Sequence, residues 1–265
     1  MHNTTYHKAR NAADAASLLS GAEDGTLLAG GQTLIPTMKA RLAAPTDLVD
    51  VSGASDMRGI IVSGNRVTIG AATTHAEVAG SSEIRAVCPS ICDLAANIGD
   101  PAVRNRGTIG GSVANNDPAA DYPAAMLALG ATIQTNTREI AADEFFTGMF
   151  DTALDEGEII TGVSFTAPAK GAYAKFPNPA SRYAMCGVFV ASGDAGTRVA
   201  ITGAGSDGVF RATDMEAALN SNFSASALDG LSVDAANMLS DIHGDSAYRA
   251  NLVKVMAKRA VTGAG

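Results

Sequence analysis

The residues with the clearest chemical potential lie in two stretches of almost bare backbone. One is Ala29-Gly30-Gly31-Gln32-Thr33-Leu34-Ile35-Pro36; the other is Thr108-Ile109-Gly110-Gly111-Ser112, trailed by Asn115, Asp117 and Asp121. Glycine lets main chain approach a ligand with no Cβ in the way. Where such a stretch opens a helix, its N–H groups and the helix dipole suit a phosphate. The first stretch ends an apolar run, Thr26 to Ala29, and leads into a helical pattern. The N–H groups of Gly30 through Thr33 are therefore expected to point outward, towards a pyrophosphate. A tight strand-to-helix turn with no ligand has the same pattern. The second stretch places a hydroxyl at each end of another bare turn, Thr108 and Ser112. Acid and amide groups at Asn115, Asp117 and Asp121 suit ribose hydroxyls and an adenine amino group. Alternatively, Asp117-Pro118 and Asp121 cap a helix that starts near Pro123. Either loop alone is a weak signal. Together, in this order, they point to one phosphate-bearing ligand held from two sides.

Other chemistry is scarcer. Gly203-Ala204-Gly205-Ser206-Asp207-Gly208 fits G-x-G-x-x-G and follows the strand-like Val199 to Ile201. Its third glycine precedes Val209-Phe210-Arg211 rather than a helix, and no strand with a terminal acid follows, so it reads as a surface turn and not a nicotinamide site. The histidines His2, His7, His75 and His243 are scattered without metal-ligand spacing. No nucleophile–base constellation and no phosphate loop of the Walker type is readable, so no catalytic side chain and no metal site is assigned. His75 reads as structural, with a place near a ligand left open. Tyr173 to Ala184 places Lys175, two prolines and Tyr183 between two strands. It is either an ordinary rigid turn or a stiff loop that holds Tyr183 over an aromatic ring.

These residues need elements to position them. Asn11 is a natural N-cap for a helix over 12–19. Leu34, Met38 and Leu42 recur every four residues, and Pro36 fixes the helix start near Thr33. A strand over 47–51 completes a helix–strand–loop–helix–strand unit over 1–52, suited to parallel strands. A hairpin over 59–69 follows, turning at Ser63-Gly64-Asn65. Next come helices between 76 and 97, the second glycine stretch, a helix over 123–129, and strands over 132–135 and 158–166. Pro168 to Gly171 marks a boundary. Beyond it, strands over 172–176, 184–191 and 197–202 suggest an antiparallel sheet, and helical patterns cover 214–219, 233–242 and 247–261.

The chain has 265 residues, 46% of them apolar and 17% charged, so it can bury a sizeable core and is not a disordered chain. Its net charge of −8 argues against nucleic acid or an anionic membrane as the main partner. No apolar run reaches the roughly 18 residues of a membrane span. The first residues lack the basic-then-apolar pattern of a secretory signal, so a cytoplasmic protein is the expectation. Cys88, Cys92 and Cys186 are too few for a disulfide framework or an all-cysteine iron–sulfur cluster. Cys88 and Cys92 stand one helical turn apart, which suits two small core side chains better than a metal site.

With these motifs in hand, the chain resembles the FAD-binding medium subunit of molybdenum hydroxylases. It is most similar to the carbon monoxide dehydrogenase medium-subunit group within the xanthine dehydrogenase family. The resemblance lies in Ala29 to Pro36 with Met38, Lys39, Arg41 and Leu42, in Thr108 to Asp121, in Phe176 to Ala184, and in Tyr248-Arg249 to Ala260. It implies an α+β fold: a two-subdomain FAD-binding domain of the PCMH type over 1–168, split at about 55, and a C-terminal antiparallel sheet with a small helical bundle over 169–265. The resemblance implies that Ala29, Gly30, Gly31, Gln32, Thr33 and Leu34, with Thr108, Ile109, Gly110, Gly111 and Ser112, bind the FAD diphosphate. Asp121 would lie near the ribose or ribityl hydroxyls, with Asn115 and Asp117 on the same edge. Ile98 and Ile160 would lie near the rings, and Lys175 and Tyr183 near the isoalloxazine. Some related oxidases carry a flavin-linking His in the glycine loop; here it reads Gly31-Gln32-Thr33, so non-covalent FAD is expected. The implied role is electron transfer from [2Fe-2S] clusters of a small subunit, beside a molybdopterin-bearing large subunit, to an external acceptor, in a dimer of heterotrimers. A stand-alone flavin oxidoreductase and a non-redox nucleotide-binding module are the competing readings.

Overall fold

The N-terminal segment folds around parallel strands, as the alternation of helix and strand predicts. In the computed structural model, which describes residues 2–265, the strands Thr5–Lys8, Gly25–Leu28 and Asp47–Asp50 form a parallel sheet with Asp47–Asp50 at the centre. Thr5–Lys8 is a strand that the sequence reading lacks: its alternation is too short and polar to register, and parallel pairing supplies the order. The helix Ala12–Ser20 starts where Asn11 Oδ1 accepts the Asp14 N–H at 2.8 Å. The helix Leu34–Lys39 is shorter than its periodicity suggests. Arg41 adopts φ +61°, which turns the chain out of the helix and leaves Leu42 81% exposed instead of on the buried face with Met38.

The next unit is built on a five-stranded antiparallel sheet. Its central strand, Ile160–Thr166, pairs with Arg66–Gly70 of the expected hairpin on one side and with Thr132–Thr135 on the other. Short helices His75–Gly80 and Ser82–Val87 pack against the helix Pro89–Ala96, and the helix Ile109–Asn115 packs on the strands Ile160–Thr166 and Arg66–Gly70. The second glycine stretch departs from expectation. It is no open turn: Gly110 and Gly111 lie in the first turn of a helix, Ile109–Asn115, capped by Thr108. Glycine is a poor helix residue, which is why the sequence reads as a loop; the segment Ala71–Thr74 braces this helix through backbone bonds and supplies what propensity lacks.

Past residue 168, the strands Lys170–Pro177, Ala184–Gly193 and Gly196–Thr202 form an antiparallel meander, extended by Phe210–Arg211. This sheet is buried on both faces. Phe189, Ala191 and Ala200 join the core of the preceding units. Val188, Val190, Val199 and Ile201 pack with Leu252, Val253 and Met256 of the long helix Ser246–Ala264. The helix expected over 233–242 is only a 3-10 turn, Ala235–Asn237, because Leu239 donates its N–H to Ala204 and Met238 bridges to Gly205, which pulls the segment straight. The Gly203–Gly208 segment is a turn, as expected, but it does not lie at the surface: Gly203, Ala204, Gly205 and Gly208 are buried, Ala204 within the core under the C-terminal helix. The three cysteines are free and buried, and among the described residues no helix is long and apolar enough to cross a membrane.

Candidate functional site

The two glycine stretches meet. A Cβ on Gly30 would overlap the carbonyl of Arg106 and crowd Gly107 Cα, so the first loop touches the segment leading into the second. Gly31 turns the chain at φ +68°, a region that other residues rarely enter. Along this seam opens a cavity of about 560 Å³, within the usual size range of cofactor sites. Ala29, Gly30, Gly31, Gln32, Thr33, Leu34, Ile98, Thr108, Gly110, Gly111, Ser112, Asn115, Asp117, Asp121, Ile160 and Tyr183 line it. Two expected residues do not. Ile109 turns inward and is fully buried in the core, because its place in the helix Ile109–Asn115 points it at the sheet. Lys175 lies behind the wall.

Hydrogen bonding sets the two loops apart. Among the described residues, the N–H groups of Gly30, Gly31, Gln32 and Thr33 have no partner, and the helix Leu34–Lys39 begins immediately after them. In the second stretch the N–H groups are already committed. Ile109 donates to Thr73 at 3.1 Å, Gly110 to Ala71 at 2.9 Å, Gly111 to Thr108 Oγ1 at 3.1 Å and Ser112 to the Thr108 carbonyl at 3.0 Å. The first loop thus offers a cluster of donors suited to an anion. The second offers bare surface, together with the side chains of Ser112 and Asn115, which make no hydrogen bond among the described residues.

Asp121 occupies the N-cap position of the helix Tyr122–Ala128 but does not cap it. Its carboxylate takes the Lys175 ammonium at 2.9 Å and the hydroxyl of Tyr173. Lys175 also donates to the Asn97 carbonyl at 3.1 Å. Burial pushes the Asp121 carboxyl up from the ordinary aspartate value, and Lys175 and Tyr173 oppose that rise. Asp117 accepts the N–H of Ala119 at 2.8 Å in a local turn. Tyr183, half-exposed at the cavity edge, sits on a loop that Asn178 closes by accepting from Ala180 and Ser181. Burial, followed by the nearby Asp117 and Asp121, raises its phenol above the ordinary value.

Sequence reading assigns no site role to many other wall residues, Gly107 and Arg182 among them, and leaves that of His75 open. Arg182, at φ +64°, reaches towards the Gly99 carbonyl. The Thr73-Thr74-His75 run offered the one available signal for His75. Thr74 forms a capping box with Glu77, and the His75 N–H donates to Gly107 at 2.9 Å, which brings that histidine to the second glycine stretch.

Residues 2–168 match the family model of the FAD binding domain in molybdopterin dehydrogenase. The chain is 35% identical over 272 residues to the carbon monoxide dehydrogenase medium chain of Afipia carboxidovorans, covering 97% of this chain and 94% of that protein. It is 33% identical to the nicotine 6-hydroxylase medium subunit of Paenarthrobacter nicotinovorans, covering 95% of this chain and 94% of that one. A solved carbon monoxide dehydrogenase from Hydrogenophaga pseudoflava, which lacks the Mo-pyranopterin moiety of the molybdenum cofactor, contains a chain that superposes with a TM-score of 0.90 at 33% identity. That match covers 99% of this chain and 97% of the other.

Proposed function

Because the chain belongs to the family of FAD-binding domains of molybdopterin dehydrogenases, we propose that it is the electron-transfer subunit of a heteromeric molybdenum hydroxylase. It would take electrons from [2Fe-2S] clusters of a small partner subunit and deliver them to an external acceptor. A large partner subunit would hold the molybdopterin and the substrate, in a dimer of heterotrimers. The relatives named as medium chains of dehydrogenases and hydroxylases support this reading. Residues 1–168 would form the FAD-binding domain, divided near residue 55, and 169–265 the C-terminal domain; the reach of the family match over 2–168 supports that division. All three cysteines are free thiols, the usual state in the cytoplasm, where we place the complex.

The observation that carries the reading is the cavity along the seam of the two glycine stretches, with unpaired N–H groups on one side. The residues present fit FAD, which when bound supplies the redox chemistry. Gly30, Gly31, Gln32 and Thr33 would hold the diphosphate through their N–H groups. Asp121 would accept hydrogen bonds from the ribityl or ribose hydroxyls, its charge held by Lys175 from behind. Ser112, Asn115 and Asp117 offer further polar contacts along the same wall. Ile98 and Ile160 would exclude water from the rings, and Tyr183 would cover the mouth. No side chain of the cavity is asked to move a proton. The test is purification with FAD: two-banded flavin absorption and co-purification with iron–sulfur and molybdenum subunits are expected. A colourless chain indifferent to FAD would end the proposal, and a lone chain that turns over an organic substrate would favour the stand-alone oxidoreductase.

A further inference from the structure

We propose that His75 binds the flavin nucleotide directly, donating a hydrogen bond from Nε2 to an oxygen of its phosphate or sugar-alcohol portion beside Gly107 and Thr108. The inference rests on the FAD reading above and deepens it. His75 is 5% exposed, yet it lines the cavity. Its position is fixed from both ends: it opens the helix His75–Gly80, its N–H is bonded to Gly107, and its ring packs on Tyr122 with centroids 5.4 Å apart.

The ring's hydrogen bonding is incomplete. Nδ1 is buried with no partner among the described residues. Nε2 makes no hydrogen bond there either, and it faces the Gly107 backbone, where an added Cβ would come within 2.5 Å of it. Burial, helped by the nearby Arg104 charge, lowers the imidazole to about 4, so the ring is neutral near pH 7. A neutral imidazole carries one donor and one acceptor. A proton on Nδ1 would be a buried donor with nothing to receive it, which is costly. The proton therefore belongs on Nε2, the nitrogen with access to the cavity. Buried polar groups are nearly always satisfied; the Tyr122 hydroxyl, also without a partner among the described residues, lies on the ring that packs against His75, and the cavity is where Nε2 can find an acceptor. A histidine needed only to fill space would gain nothing over leucine at this position.

Nitrogen-15 spectra of the histidine-labelled chain test this, with His75 assigned through His75→Gln. Added FAD is expected to shift the His75 Nε2 resonance. His75→Leu is expected to weaken FAD binding by about tenfold or more, the loss of roughly one hydrogen bond to a charged group. His75→Gln, which keeps an N–H donor, is expected to stay within about threefold of wild type, a difference well under one such bond. If wild type binds FAD while the His75 nitrogens stay unmoved, or if folded His75→Leu binds it equally well, the assignment is wrong and the FAD reading stands. If wild type binds no FAD, both fall. Should His75→Leu fail to fold, the wild-type spectra decide alone.

Discussion

At the scale of single residues, a glycine can be required by its neighbours and not by a ligand. Gly30 reads as a site where a phosphate approaches closely, yet its missing Cβ makes room for the Arg106 carbonyl. Gly30→Val should therefore push the two glycine stretches apart, destabilising the fold by about 1–3 kcal/mol, as overpacking does. FAD affinity should fall with it; urea unfolding and flavin fluorescence titration measure the two effects. His75 yields a pH prediction. Its ring is lowered to about 4 in the fold, below the ordinary 6.5. The unfolded chain therefore binds the extra proton first, and stability is lost as pH falls from about 6.5 towards 4. Between pH 7 and pH 5, the FAD-free wild type should lose about 2 kcal/mol more than His75→Gln in urea unfolding. Equal losses would show that the imidazole is not held neutral.

Among the elements, the legible ones are those whose local pattern and tertiary surroundings agree. Asn11 announces the helix Ala12–Ser20, and Ser63-Gly64-Asn65 announces the hairpin between Ile60–Ser63 and Arg66–Gly70. The illegible ones are overruled from outside. The segment over 233–242 carries a helical spacing, but Ala204 captures Leu239 and straightens it. The helix Ile109–Asn115 carries two glycines, and backbone bonds from Ala71 and Thr73 hold it nonetheless. Arg249 of the long C-terminal helix shows how such elements are locked. It is 3% exposed and donates to the carbonyls of Met185 and Gly203, each at 2.7 Å, and to Asp241 at 2.7 Å. Arg249→Leu removes the donor to the Met185 and Gly203 carbonyls, while Asp241 stays part-exposed and keeps the His243 and Gly244 N–H groups, so a loss of about 1–3 kcal/mol is expected in urea unfolding. Arg249→Lys should recover part of it.

Across the whole molecule, the C-terminal sheet backs the wall of the cavity, and its loop Ser181–Tyr183 lines the edge. Tyr173 and Lys175 lie two apart on Lys170–Pro177, so they share the face that meets Asp121. Thr202 donates to the carbonyls of Pro118 and Ala120, and the Gly203 N–H donates to Pro118, which ties the acidic segment to the same sheet. Lys175→Met would leave Asp121 buried without its counter-charge. A cost of about 3–5 kcal/mol is expected, with weaker FAD binding that recovers partly in Lys175→Arg; calorimetric titration and thermal unfolding report both. A fragment ending at residue 168 would bare the surface covered by Phe189, Ala191 and Ala200. It should aggregate or lose FAD affinity, and a stable FAD-binding fragment would show that the sheet is dispensable to the site.

The amino-acid order alone determined the paired glycine stretches, the polar residues that trail them, and most strands and helices, because turn chemistry, capping and hydrophobic periodicity act over a few residues. Tertiary structure alone decided which N–H groups stay unpaired, that Ile109 faces the core, that Lys175 stands behind Asp121, and that His75 reaches the cavity. Each of these depends on partners far away in the chain, such as Ala71 for Gly110 or Lys175 for Asp121. Hydrogen-bond competition and burial operate between elements only after they have packed, so no local spacing encodes them.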